Sequence, residues 1–173
     1  LKKPISKAGE LLVHYANGPA QLEAALADLK RADLDIALDD VSWTVRQIVH
    51  HVVDGDDVWK YCIKLALGNS DPIFDLRWYL VKPQIQWAEL WAYQDRDIDP
   101  SLALFTANRK HIVQLIQAIE GSWERTTLIQ LIDKQDIVTV GWVVEMQCNH
   151  VKGHIEDIRR IRQIHSPQNT VKS

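Results

Sequence analysis

The chain has 173 residues, 46% apolar and 25% charged, with a formal net charge of -3 and a sequence pI near 6.2. That length and balance describe one globular domain with a sizeable core, and they exclude a disordered chain. The mild acidity gives no electrostatic basis for a nucleic-acid partner, and no run reaches the roughly 18 apolar residues of a membrane span.

The first ten residues hold lysines but no apolar run, which argues against a secretory signal. The lack of an initiating Met points to a trimmed start. Asn17-Gly18-Pro19 reads as a helix start, a capping side chain followed by Pro in the first turn. It predicts a first helix over about residues 19–32, with Leu22, Leu26 and Leu29 at helical spacing. A second helix is predicted over about residues 44–67, with Ser42 as its candidate cap and Gly68-Asn69 as its stop. Ile48, His51, Val52, Gly55, Val58, Trp59, Cys62 and Ala66 share one face of it.

A long connection follows over residues 69–99, with a short helix possible at 83–93. It carries Trp78, Tyr79, Trp87, Trp91 and Tyr93, which suit a cover over the core, with a ligand-pocket wall or a dimer contact as the functional alternative. The third helix is predicted over about residues 101–120, opened by Asp99-Pro100-Ser101 and closed by Gly121. The fourth spans about residues 140–164, with Val144, Cys148, Val151, Ile155 and Ile158 as its core stripe. Arg159, Arg160 and Arg162 sit there among Glu156 and Asp157 and read as a solvated face. Residues 166–173 read as a frayed tail. The expected fold is an all-α four-helix bundle, one domain over residues 1–173, with a long crossover between helices 2 and 3. Cys62 and Cys148 fit buried thiols in a reducing, cytoplasmic setting, without excluding a disulfide.

His150 and His154 stand four apart, so one helical turn puts both imidazoles on one face. They flank Val151 and Ile155 beside the core stripe, where a neutral imidazole needs a hydrogen-bond partner or a metal. His51 lies on the apolar stripe of the second helix, whereas His50 points about 100° away and is expected to face solvent. Three neutral nitrogens from two helices, with one position left open, make a catalytic divalent-metal site of His51, His150 and His154. Gly55, one turn after His51, implies close helix approach or space kept beside the metal. Asp54 and Asp157 could orient imidazole N–H groups, although surface carboxylates are the simpler reading. His111 is a candidate fourth ligand or acid–base group, with packing or surface exposure the simpler role.

These residues resemble the DinB/YfiT-like superfamily. Ser42-Trp43-Thr44-Val45-Arg46-Gln47-Ile48-Val49-His50-His51 looks like its second-helix signature, in which a ligand histidine follows the Trp by eight residues; Trp43 plus eight selects His51. His150 and His154, followed by Ile155, resemble its fourth-helix motif. Many members carry an extra histidine just before the last ligand, where this chain has Gly153. The resemblance implies a four-helix bundle, a divalent metal such as zinc or nickel on three histidines, and frequently a homodimer. It implies a small-molecule substrate and either hydrolysis by a water on the metal or transfer chemistry using a low-molecular-weight thiol bound to the metal as thiolate. The sequence offers no G-x-S-x-G elbow, phosphate loop or H-E-x-x-H element, and the lack of a clear general base leans towards the thiol chemistry. The rival expectations are a non-catalytic metal-binding or dimerisation bundle, with four protein ligands and stability that depends on the metal, and a bundle without metal in which the three histidines are packed residues.

Overall fold

The computed structural model describes residues 6–165, so the tail expected at 166–173 lies outside the described residues. Helix α1 (Lys7–Leu26) starts twelve residues earlier than the sequence predicts, capped by Ser6, whose Oγ accepts from the Gly9 N–H at 3.2 Å. Pro19 is therefore inside the helix. It has no N–H to give the Tyr15 carbonyl one turn back. Arg109 supplies the missing donor, with Nη1 3.1 Å from that carbonyl. The helix ends at Leu26, short of residue 32; Asp28 turns the chain at φ 68°, a conformation Asp tolerates better than most residues.

Helix α2 (Val45–Gly68) is capped by Thr44 and not by Ser42. The Thr44 hydroxyl accepts from the Gln47 N–H at 3.2 Å while the Gln47 side chain accepts from the Thr44 N–H at 2.9 Å, satisfying two end donors at once. Ser42 instead donates to Asp39 at 2.6 Å. The crossover contains β1 (Ile73–Asp75), α3 (Arg77–Leu80) and α4 (Gln84–Leu90), the last inside the predicted stretch. Tyr79, Trp87 and Trp91 stack on one another and pack against the core, so the crossover covers the bundle, as its rings suggested. Trp78 remains half exposed.

Helix α5 (Ile98–Ala118) opens three residues earlier than predicted, on an Asp97 cap. Before α6 (Val140–His165) comes a hairpin absent from the sequence reading, β2 (Thr126–Gln130) and β3 (Gln135–Thr139). β2 pairs antiparallel with β3 and parallel with β1, giving the order β1-β2-β3. At the start of α6, a Cβ on Gly141 would collide with the Trp123 indole, so only glycine admits that ring.

The four long helices close a ring: α6 packs on α1 and α2, and α5 packs on the same two. One half of the core gathers around Cys62, Ile112 and Val144, the other around Leu22, Val49, Phe105 and Ile158. Cys62 and Cys148 are free thiols. Across the middle, Arg109 and Asp56 form an ion pair at 2.7 Å, each 1% exposed, with the guanidinium 3.7 Å from the centre of the Tyr15 ring. Among the described residues, no helix is long and apolar enough to cross a membrane.

Candidate metal centre

The facing of α2 and α6 decides the site. Ile48, His51, Val52 and Gly55 turn towards α6, and His150 and His154 stand one turn apart on α6 towards α2. His51 Nε2 lies 3.0 Å from His150 Nε2, which lies 3.2 Å from His154 Nε2. The rings cross nearly at right angles, at 77°, 83° and 86°, with centroids 4.7–5.0 Å apart. The result is three nitrogens, all within 4.8 Å of one another, aimed at a common point.

Burial first, and neighbouring imidazoles second, lower the pKa of His51 to about 2 and that of His150 to about 4. Burial also lowers His154, opposed by the Asp157 carboxylate. The rings are thus neutral near pH 7, each with one N–H and one lone pair to offer. Lone pairs so close repel unless a proton or a cation sits between them. The Nδ1 atoms of His150 and His154 have no hydrogen-bond partner; Asp157 Oδ2 stands 3.4 Å from His154 Nδ1, within ion-pair range but out of line for a hydrogen bond. Three neutral imidazole nitrogens are a donor set that fits a first-row divalent ion such as zinc or nickel.

The surroundings hold these rings in place. Trp43 sets its edge against His51 at 4.3 Å and lies parallel to His154 at 6.1 Å, so the landmark of the sequence motif is also a wall of the site. A Cβ on Gly55 would come 3.6 Å from His150 Cε1, which is ordinary contact. A cavity of about 200 Å3, lined by Leu38, Ser42, Trp43, Ile48, His154 and Asp157, opens beside the group.

Other candidates fall elsewhere. Asp54 pairs with Arg96 of the crossover at 3.4 Å and is not part of the histidine group. His111 is exposed on α5. Gly153 is exposed, and a Cβ there would meet no atom within 4 Å. His50 corrects the expectation of a solvent-facing ring. It is fully buried, with Nδ1 2.9 Å from Ser101 Oγ and Nε2 3.3 Å from the Arg96 carbonyl. The helical angle from His51 is as expected, but the crossover and α5 cover that face. Sequence reasoning missed Asp56 and Arg109 altogether, since a charged pair in a core has no local signature.

The family model of the DinB superfamily matches residues 14–158. An Oceanobacillus iheyensis protein named "Putative metal-dependent hydrolase" is 27% identical over 142 residues, 81% of this chain and 77% of that protein. A Bacillus cereus protein (strain B4264) with the same description is 35% identical over 104 residues, 59% of this chain; the match spans about half, 56%, of the relative's length. Among solved structures, Bacillus subtilis YfiT, described as "a probable metal-dependent hydrolase with an unusual four-helix bundle topology", superposes with a TM-score of 0.77 at 24% identity, over 95% of this chain and 91% of YfiT. The mycothiol-dependent maleylpyruvate isomerase superposes at 0.64 and 16% identity, over 88% of this chain and 61% of the isomerase. At those identities the two structures establish the fold, a four-helix bundle. With 145 consecutive positions, 14 to 158, under the family model, the chain belongs to the DinB superfamily.

Proposed function

We propose that this chain, as one domain, is a divalent-metal-dependent enzyme acting on a small molecule, with His51, His150 and His154 holding zinc or nickel. The observation that carries this reading is the convergence of three neutral Nε2 atoms within 4.8 Å. Among the described residues the group contains no fourth His, Cys, Asp or Glu, which favours an open coordination position over the closed site of a purely structural metal. A divalent ion there supplies Lewis acidity, lowering the pKa of a water or thiol that reaches it. The protein holds the ligand rings in register and walls them with Trp43. The cavity beside His154 suits a small substrate group.

Hydrolysis is the first reading, supported by the descriptions of the relatives. Thiol transfer is the second, favoured by a specific observation. Asp54 is engaged by Arg96 and His111 is exposed on another helix, so neither stands at the rings as a free base. A thiol of lowered pKa needs less proton shuttling than a water. The test is turnover by metal-loaded protein of activated esters and amides, and of electrophiles supplied with and without mycothiol or bacillithiol. Thiol-independent hydrolysis supports the first reading and strictly thiol-dependent conversion the second. No turnover of either class by protein that binds one ion per chain would sink the enzyme reading.

A further inference from the structure

On the side of α6 turned away from its histidines, α1 and α6 border a second cavity of about 470 Å3. At about 100° per residue, Cys148, Lys152, Ile155 and Arg159 lie on the opposite side of the helix from His150 and His154. Its walls include the apolar side chains of Leu11, Val151 and Ile155, and its cations are Arg109, Lys152 and Arg159. No Asp or Glu lines it.

Two of these charges lack their usual company. Arg31, Arg46, Arg77 and Arg96 each meet an aspartate. Lys152 and Arg159 have no ion-pair partner among the described residues. Arg109, the deepest of the three, is 1% exposed and already answered, its guanidinium paired with Asp56 at 2.7 Å and its Nη1 serving the Tyr15 carbonyl. Like charges around one apolar hollow repel unless an anion joins them. The volume is that of a small-molecule site.

We propose that this cavity binds a small amphiphilic anion, a carboxylate or phosphate on an apolar body, independently of the metal centre. The acidic head meets Lys152 and Arg159, and the body lies over Leu11, Val151 and Ile155. The sequence reading took Arg159 for part of a solvated basic face; in the fold it borders a hollow, with apolar side chains on one side and no acid to answer it.

The test titrates the full chain with octanoate and with octyl phosphate, read by calorimetry and by amide chemical shifts. The expected result is saturable one-to-one binding of at least one of them, with shifts centred on the α1–α6 seam; the tighter of the two identifies the head group. Octanol and octyltrimethylammonium should bind at least about tenfold more weakly. The double variant Lys152→Glu/Arg159→Glu, both exposed positions, should weaken anion binding by about tenfold and leave the urea midpoint and the metal content unchanged. Absence of saturable binding by both anions would overturn the proposal. So would equal binding of octanol, affinity indifferent to the charge reversal, or shifts confined to the histidines.

Discussion

Replacing Arg109 with Met tests how the bundle tolerates a proline inside α1. The wild-type guanidinium neutralises Asp56 and caps the Tyr15 carbonyl left free by Pro19. Removing it strands a buried carboxylate, typically about 3–5 kcal/mol, although protonation of Asp56, whose pKa burial already raises to about 6, relieves part of that. It also strands a backbone acceptor, about 1–3 kcal/mol. Taken together, a loss of about 4 kcal/mol is expected, a drop of about 2 M in the urea midpoint at a typical slope. Far-UV circular dichroism of metal-free protein reads it. Adding Pro19→Ala separates the two parts. The new Ala N–H can serve the Tyr15 carbonyl, so Pro19→Ala should stabilise Arg109→Met by about 1 kcal/mol more than it stabilises wild type. A double-mutant cycle with no coupling, or an Arg109→Met loss below about 1 kcal/mol, would refute the reasoning.

Gly55→Val should push a methyl into His150 and weaken zinc binding about tenfold or more, measured by chelator competition, whereas Gly55→Ala, at ordinary contact distance, should change it little. Metal-free protein should lose stability as pH falls. His150 titrates near pH 4 when folded against an ordinary 6.5, so between those values the unfolded chain binds more protons; its contribution, present above 6.5, is lost progressively towards 4, on the order of 3 kcal/mol. Urea midpoints between pH 7.5 and 4.5 should fall less steeply in His150→Ala, and equal slopes would contradict the sign. Thr44→Ala removes one arm of the α2 capping box and should cost about 1 kcal/mol, seen as a lower Tm, while Ser42→Ala should not reproduce the loss.

Most of the bundle was legible because its helices are long, amphipathic and punctuated by few glycines and prolines. The histidine group was legible for the same reason. Four-residue spacing on α6 and the stripe through Ile48 and His51 are periodic signals that survive into the fold. What escaped reading depended on distant partners. Pro19 signals a helix start to any local rule, and only Arg109, ninety residues on, makes it tolerable mid-helix. His50 was sent to solvent by its helical angle, yet Ser101 and the Arg96 carbonyl close over it. The hairpin had a faint local signal, Thr126-Thr127-Leu128-Ile129 and Ile137-Val138-Thr139 on either side of Asp133-Lys134, but each strand is only five residues long. β1 is shorter still and pairs in parallel with a strand more than fifty residues away. The thiol-or-water question stays out of the sequence's reach because both chemistries use the same three nitrogens.

The central claim is tested most directly by the metal content of the wild-type chain and of His51→Ala, His150→Ala and His154→Ala, each purified without a metal-affinity column and analysed by elemental mass spectrometry. About one divalent ion per wild-type chain is expected, with loss of that ion in every single variant and the helical spectrum retained. Wild-type protein that takes up neither zinc nor nickel, or variants that keep a full complement, would contradict it.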